Sequence, residues 1–237
     1  YDLDEKGEPK GKLRAYDFGL AVDSPKILAH PKLPCLYVMP SRASGIFLVP
    51  LNKGEPTGAP QQIAISKSGS LTRGVFSQDL GSLIFGATQA TVEVARLDPS
   101  GIPEPAPSFK ISESADPVWL TCLGKVFYCA MSGRLWAQSV NGDCEPSGQP
   151  RSYPKWKATD VRSAADGSLY VALGEQAGEG PSEKGKLTGT KIARFKPDQQ
   201  GNPGEPVFMS ETFEGRKITN MAVDESTGAI YVTLAPP

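Results

Sequence analysis

The segment Asp166-Gly167-Ser168-Leu169-Tyr170-Val171 joins a turn signal to a short apolar strand, and this combination decides the fold. Asp-Gly favours a tight hairpin, because both turn residues there adopt positive φ. The apolar triplet recurs four more times, as Leu36-Tyr37-Val38, Leu83-Ile84-Phe85, Val126-Phe127-Tyr128 and Ile230-Tyr231-Val232. Successive triplets begin 47, 43, 43 and 61 positions apart, which indicates an internal repeat.

A second repeated element lies between the triplets. It is a turn rich in Asp, Asn, Gly and Pro that joins one apolar strand to the next, and in four copies it carries a Gly-x-Pro pattern. The five copies begin at Leu3, Leu51, Leu97, Val140 and Pro197. One triplet hairpin and one Gly-x-Pro hairpin together account for four short strands in each repeat.

The two ends of the chain complete each other. The triplet at Ile230 has no Gly-x-Pro hairpin after it, and the hairpin at Leu3 has no triplet before it. Counting from Ile230 through the joined ends to Leu36 gives 43 positions, the same as two of the internal spacings. The sequence therefore predicts an all-β, five-bladed β-propeller of four-stranded blades, formed by residues 1–237 as one domain. One blade, shared between the N- and C-termini, closes the ring and leaves no free edge.

Composition and motifs exclude several classes of protein. Lys plus Arg number 25 and Asp plus Glu 26, so the basic excess of a nucleic-acid binder is missing. His30 is the single histidine, which rules out zinc sites built on two or three histidines. The longest apolar stretch, 117–131, contains Lys125 and is too short to span a bilayer. We expect no nucleic-acid partner and no membrane span.

Compartment and chain context follow less directly from the sequence. The four cysteines form no Cys-x-x-Cys pair, which gives no support to a zinc ribbon or a thioredoxin-type site. We favour an extracellular or periplasmic location, although cysteine usage leaves the redox compartment open. Because the chain starts at Tyr1 and its termini adjoin in one blade, a module of a longer chain is one interpretation.

The innermost strands are predicted to line a central channel. They are residues 26–30, 71–77, 117–122, 157–163 and 217–223, and their early positions face one mouth of the channel. Five side chains are expected at that mouth: Lys26, Arg73, Trp119, Asp160 and Asn220. A carboxylate and an amide oxygen from adjacent blades suit a hard cation such as calcium, so Asp160 and Asn220 are candidate metal ligands. The alternative is that both hydrogen-bond to neighbouring backbone or water.

The channel mouth opens on what we call the upper face, which carries the connections leading into the innermost strands and those between second and third strands. An insertion at 175–190 lies on this face, where inserted loops often bind ligands. Around it we expect a mixed-charge rim with two aromatic rings, suited to a sugar or a peptide. The candidate binding residues are Tyr153, Trp156, Arg42, Arg216, Glu175 and Arg73. In the alternative interpretation, Trp156 fills a gap between blades and the insertion is a tolerated surface loop.

The hairpin at 1–11 and the segment 165–173 resemble blades of lactonase-type propellers, the gluconolactonase and phosphogluconolactonase-like groups. The resemblance implies a channel metal with ligands such as Asp160 and Asn220. Those families have six or seven blades and need a further Glu and Asn at the metal.

Two kinds of function follow from these patterns. The first is a non-enzymatic module that recognises a glycan or protein partner on the upper face, with no cofactor. The second is a metal-dependent lactonase-like hydrolase or a glycosidase that uses the channel, with one divalent cation such as calcium. A glycosidase needs two carboxylates about a cleft, for which Asp23, Asp116, Asp160 and Glu211 are candidates. The sequence assigns no catalytic residue, and fold alone cannot decide function.

Overall fold

The structure is a computed structural model that describes residues 2–3, 9–10, 25–40, 43–65, 70–77, 79–88, 91–106, 108–111, 119–176, 187–224 and 228–235. Side chains at 2–3, 9–10, 175–176 and 187–188 lie outside this description. Every described element is a β-strand, which confirms the all-β prediction. In these ranges no helix has the length and apolar character needed to cross a membrane.

The strands form a short hairpin and five antiparallel sheets that follow one another along the chain. The hairpin comprises β1 (Asp2–Leu3) and β2 (Pro9–Lys10). Sheet I comprises β3 (Lys26–Ala29), β4 (Cys35–Met39), β5 (Gly45–Asn52), β6 (Glu55–Pro56) and β7 (Gln61–Ala64). Sheet II comprises β8 (Leu71–Ser77), β9 (Ser82–Ala87), β10 (Thr91–Leu97), β11 (Pro103–Pro105) and β12 (Phe109–Lys110).

The second half of the chain repeats this pattern. Sheet III comprises β13 (Trp119–Leu123), β14 (Val126–Met131), β15 (Arg134–Ser139) and β16 (Arg151–Tyr153). Sheet IV comprises β17 (Ala158–Ser163), β18 (Leu169–Gln176), β19 (Leu187–Phe195), β20 (Phe208–Met209) and β21 (Phe213–Glu214). Sheet V has β22 (Ile218–Val223) and β23 (Ile230–Leu234). Each predicted triplet forms the second strand of its sheet, and the predicted innermost strands are β3, β8, β13, β17 and β22.

The innermost strands lie side by side in chain order, because β8 contacts β3 and β13, and β17 contacts β13 and β22. The sheets therefore pack face to face in succession. This arrangement explains why the triplets are continuously apolar: a strand in a middle sheet is buried on both faces. In β14, Tyr128 belongs to the core between sheets III and IV, whereas its neighbour Phe127 packs between sheets II and III.

In three of the five repeated hairpins, one side chain organises the turn. The Oδ1 atoms of Asp98, Asn141 and Asp198 each accept hydrogen bonds from the backbone N–H groups two and four residues further on. Such bonds are the reason that Asp and Asn favour turns. The turn then needs positive φ, which is 82° at Gly101 and 78° at Gly201. The fourth copy, which begins at Val140, has Cys144 at this position, with φ of 62°.

Two of these hairpins also join neighbouring sheets. The hydroxyl of Tyr37, in sheet I, donates to the carbonyl oxygen of Gly101 in sheet II at 2.8 Å. The hydroxyl of Tyr128, in sheet III, donates to the carbonyl oxygen of Gly201 in sheet IV at 2.8 Å. Both phenols are buried, and burial raises the pKa of each. The repeat is thus specified by contacts between sheets as well as by turns within them.

All four cysteines are free thiols. Cys122 lies opposite Phe127 in the sheet III register, and Cys129 is diagonally displaced from it. Burial raises the pKa of the Cys122 and Cys129 thiols to about 12, which makes both of them poor nucleophiles at neutral pH.

Candidate functional site

The starts of the innermost strands bring together six side chains that we call the mouth cluster: Lys26, Arg73, Trp119, Asp160, Arg162 and Asn220. The sequence placed five of them at the channel mouth. The sixth, Arg162, was not predicted. It lies two residues beyond Asp160 on β17 and therefore faces the same side of the strand.

Three β-bulges position the polar members of this cluster. The pairing of the first and second strands shifts register between Leu71 and Arg73, between Ala158 and Asp160, and between Ile218 and Asn220. A threonine occupies the bulged position in all three strands: Thr72, Thr159 and Thr219. The hydroxyls of Thr159 and Thr219 donate to carbonyl oxygens of the adjacent second strand, at 3.2 and 3.1 Å. Bulges re-aim the side chains next to them, and they turn the following polar residue toward the mouth.

Trp119 is the centre of the cluster. The Arg73 Cζ atom lies 3.2 Å from the centroid of its ring, and the Arg162 Cζ atom lies 4.8 Å away. Both guanidinium groups make cation–π contacts, which are strengthened by partial desolvation. Trp119 is only 9% exposed, so this stack is a fixed feature of the mouth.

Arg162 binds both predicted metal ligands. Its Nη1 atom lies 2.8 Å from Asp160 Oδ1, and its Nη2 donates to Asn220 Oδ1 at 3.1 Å. Its Nε donates to the Met221 carbonyl oxygen at 2.7 Å, which ties sheet IV to sheet V. Asp160 and Asn220 thus come together as predicted, with a guanidinium bridging their oxygens. No group of three or more His, Cys, Asp or Glu within the described ranges is arranged to hold a metal, and calcium binding stays a prediction.

Asp160 is fully buried. Its Oδ1 accepts a hydrogen bond from the Val161 N–H at 2.7 Å in addition to the Arg162 contact. Its Oδ2 has no hydrogen-bond partner among the described residues. Burial outweighs the attraction of Arg162 and raises the pKa of Asp160 to about 6.

The remaining cations, Lys26 and Arg73, come from β3 and β8, which lie on the other side of β13 from β17. The Lys26 Nζ donates to the Thr72 carbonyl oxygen at 2.6 Å, which joins sheet I to sheet II. Burial, followed by the charge of Arg162, lowers the pKa of Arg73 to about 10. Burial and the charge of Arg73 lower the pKa of Lys26. The described cluster therefore holds three cations and one carboxylate.

The predicted rim residues fall into three groups. The structure supports the gap-filling interpretation of Trp156, which is 8% exposed and packs edge-on against Phe195 at 5.0 Å. Tyr153 packs on the same core, and its hydroxyl donates to Asn202 Oδ1 at 2.9 Å. Both aromatic rings therefore pack on the core between sheets III and IV. A flat aromatic ring at a sheet edge suits a binding rim and an inter-sheet core equally well, so residue type alone did not distinguish them.

Of the charged residues predicted on the rim, only some have side chains within the described part of the structure. Arg216 is exposed in the connection between β21 and β22, and its backbone carbonyl accepts a hydrogen bond from Thr190 Oγ1 at 2.8 Å. The backbone of Glu175 pairs with Gly189 in sheet IV, and its side chain lies outside the description. Arg42 and residues 177–186 of the insertion also lie outside the described residues. Arg73 alone of the predicted binding residues belongs to the mouth cluster.

A cavity of about 410 Å³ lies at the opposite end of the innermost strands. Its lining includes Ala29, Ser77, Leu123 and Ser163, which end four consecutive innermost strands, together with Cys122. No sequence motif marks this place, because its walls come from strand ends in different repeats. It is separate from the mouth cluster, which lies at the starts of the same strands.

Comparison with solved structures supports the fold. The β-propeller domain of Cps50 (Swd1) from Myceliophteria thermophila has a TM-score of 0.62 and 12% identity, over 90% of this chain and 62% of that chain. A putative 6-phosphogluconolactonase from Bacteroides fragilis has a TM-score of 0.55 and 14% identity, over 87% of this chain and 67% of that one. A chain of the COPII outer coat vertex has a TM-score of 0.58 and 14% identity, over 84% and 53%.

The chain spans between 53% and 67% of the length of these three structures. No protein-family model matches the sequence, and a search of the curated proteins finds no match. Identities of 12–14% carry the fold alone. The succession of antiparallel sheets and these similarities together make the chain a β-propeller by fold, with no close family match.

Proposed function

We propose that this chain is a protein-interaction module that binds a partner protein over its upper face, with the mouth cluster at the centre of the interface. One observation carries the proposal: the stack of Arg73, Trp119 and Arg162. Tryptophan and arginine dominate the energetic centres of protein interfaces. Here they are held by contacts between sheets before any partner arrives, which lowers the entropy cost of binding.

The neighbours in the structural comparison are compatible with this role. One of them is a chain of the COPII outer coat vertex on membranes. Another is a putative 6-phosphogluconolactonase, so the fold serves more than one function. The function of this chain must therefore be argued from the residues at the channel mouth.

We propose further that the sheets form a five-bladed ring. Sheets I–IV have four or more strands each, whereas sheet V has two, and the separate β1–β2 hairpin also has two. Adding that hairpin to the outer edge of sheet V would give the fifth blade four strands. The spacing of 43 positions through the joined ends supports the same closure.

The interaction proposal is tested by comparing captured proteins across three baits. The baits are the unmodified chain, Arg216→Glu on the upper face, and Lys125→Glu in the turn at the opposite end of β13. We expect at least one partner that binds the first and third baits and is lost from the second. The same partner, purified, must reproduce this order of affinities in calorimetry. If every captured protein binds the Arg216→Glu and Lys125→Glu baits equally well, the upper face is not an interaction surface.

The hydrolase alternative has one observation in its favour, because Asp160 is a buried carboxylate with a raised pKa that lies beside Asn220. It requires calcium to take the place of the Arg162 guanidinium. A calorimetric titration of metal-stripped protein with calcium, repeated on Asp160→Ala, tests it. Stoichiometric binding that the variant loses, together with lactone hydrolysis, would replace our proposal. A glycan array on the same protein examines the carbohydrate alternative.

A further inference from the structure

We infer that the partner presents a carboxylate to the mouth cluster and that Arg73 is the residue that pairs with it. This inference rests on the proposed protein-binding function and names the chemistry of the partner. The ligand is an acidic side chain, or the carboxylate at a chain terminus, inserted where the innermost strands begin.

Among the described residues, nothing accepts a hydrogen bond from the guanidinium edge of Arg73. The group lies against the ring of Trp119, with 3.2 Å between Cζ and the ring centroid, so one face of the guanidinium is covered. Within the described part of the chain, its guanidinium makes no hydrogen bond to a protein acceptor. A guanidinium carries five N–H donors in a planar fork. Partly buried and stacked on Trp119, Arg73 is therefore a rigid fork whose donors have no acceptor among the described residues.

The other two cations of the cluster, Arg162 and Lys26, already donate hydrogen bonds within the protein. Arg162 donates to Met221, Val161 and Asn220 and pairs with Asp160, so it is committed to the protein. Lys26 donates one of its three N–H groups to the Thr72 carbonyl oxygen. Lys26 thus adds a second positive charge beside Arg73, while the single carboxylate of the cluster is held by Arg162.

This local charge selects the ligand. Three cations against one carboxylate repel a cation and favour an anion, although the whole chain carries a formal charge of −1. A carboxylate matches the planar fork with two parallel hydrogen bonds, which are among the strongest that proteins make. The charge of Arg73 persists at neutral pH, because the lowered pKa of about 10 is still well above 7.

The first experiment uses defined peptides and the indole N–H signals of the three tryptophans in NMR spectra. One hexapeptide alternates Gly and Glu, a second alternates Gly and Gln, and both are acetylated and amidated. A third is the Gln peptide with a free C-terminal carboxylate. We expect the Glu peptide to shift the Trp119 signal saturably, while Trp136 and Trp156 stay unchanged. The third peptide separates a terminal carboxylate from an acidic side chain.

Three outcomes of this titration overturn the inference. An equal response to the Glu peptide and to the amidated Gln peptide would show that the mouth cluster does not distinguish a charged from a neutral ligand. Absence of any Trp119 response to both carboxylate-bearing peptides would show that the mouth does not bind them. A tighter response to inorganic phosphate than to either carboxylate-bearing peptide would assign the mouth to a phosphate ligand instead.

The second experiment assigns the binding to Arg73. We expect Arg73→Gln to weaken the Glu peptide at least tenfold. Arg134→Gln removes an exposed cation at the start of β15, on the same face and outside the cluster, and should change affinity less than twofold. Arg73→Lys keeps the charge without the fork, and its affinity should fall between the two. An Arg73→Lys protein that binds as well as the unmodified chain would refute the bidentate contact, even if Arg73→Gln failed to fold.

The two proposals fail in different ways. A partner that depends on Arg216 but not on Lys125, found together with a mouth that ignores all carboxylate peptides, would refute only the inference about Arg73. If no partner distinguishes Arg216→Glu from Lys125→Glu, the interaction function fails first.

Discussion

At the scale of single residues, Asp160 shows how the mouth cluster balances burial against pairing. The carboxylate is fully buried, and Arg162, Val161 N–H and the charge of Arg73 all favour its ionised form. The desolvation penalty exceeds these attractions, as is common for buried ion pairs. The pair is therefore weak evidence for stability, and its value lies in fixing the Arg162 guanidinium beside Trp119.

The raised pKa of Asp160 predicts a dependence of stability on pH. The folded state binds the proton more tightly than the unfolded state, since the pKa rises from 3.8 to about 6. The stabilisation that comes from protonated Asp160 is fully present below the pKa that this carboxyl has in the unfolded state. It is lost as pH rises through about 6, the pKa in the folded state. Taken alone, it amounts to about 2–3 kcal/mol.

The measurement is urea denaturation from pH 3.5 to 7, on the unmodified protein and on Asp160→Asn. Other carboxylates act in the opposite direction, as at Asp166, where hydrogen bonds from Ser168 and the charge of Lys196 lower the pKa. Only the difference between the two proteins isolates Asp160. We expect the unmodified chain to lose stability relative to the variant as pH rises. A difference that is flat across this range contradicts the raised pKa.

At the scale of elements, the strands and hairpins were predictable because their signals are local. Two-sided burial gives the apolar triplets, and turn chemistry gives the Gly-x-Pro hairpins. Arg162 was missed because the prediction took only the early positions of each innermost strand, although strand alternation places it on the same side as Asp160. The bulges themselves have a local signal: an apolar residue, threonine and a polar residue recur at Leu71–Arg73, Ala158–Asp160 and Ile218–Asn220. The role of Trp156 depends on the space between two sheets, which no single repeat specifies.

The hairpins of sheet IV provide a matched pair of glycines for a second prediction. Gly201 and Gly204 have φ of 78° and 65°, so alanine is strained at both. An alanine Cβ at Gly201 would lie 2.7 Å from Val126 Cγ2 and 3.0 Å from the Tyr128 hydroxyl oxygen, while one at Gly204 meets nothing within 4 Å. We expect Gly204→Ala to cost about 1 kcal/mol for backbone strain. We expect about 2–4 kcal/mol for Gly201→Ala, because sheet III must also shift.

Chemical denaturation of the two variants measures this difference. The contact between sheets III and IV accounts for the excess cost at Gly201, since both positions share the backbone penalty. Equal losses in the two variants would mean that the hairpin does not pack on Val126 and Tyr128 in solution. In that case the tyrosine–glycine hydrogen bond would not join the sheets.

At the scale of the whole molecule, two sheet faces decide whether the ring closes. On β3, Ile27 is 53% exposed and faces away from sheet II. On β23, Tyr231 is 59% exposed, while Ile230 and Val232 pack toward sheet IV. These are the two ends of the row of packed sheets, and apolar residues at both ends suit a pair of faces that meet. Closure of the five-bladed ring would bury Ile27 against sheet V and Tyr231 against sheet I.

Lysine substitutions at these positions test the closure. If the ring closes, Ile27→Lys and Tyr231→Lys each remove a buried apolar side chain, and each lowers the free energy of unfolding by about 1.5–3 kcal/mol. The control is Phe208→Lys on the outer strand β20, where Phe208 is 54% exposed and no closure buries it. That variant should change stability by less than about 0.5 kcal/mol. If the two faces meet, the double variant Ile27→Lys, Tyr231→Lys should lose less stability than the sum of the two single variants. Three equally mild variants would mean that the two faces stay apart, and the mouth cluster would then belong to an open row of sheets.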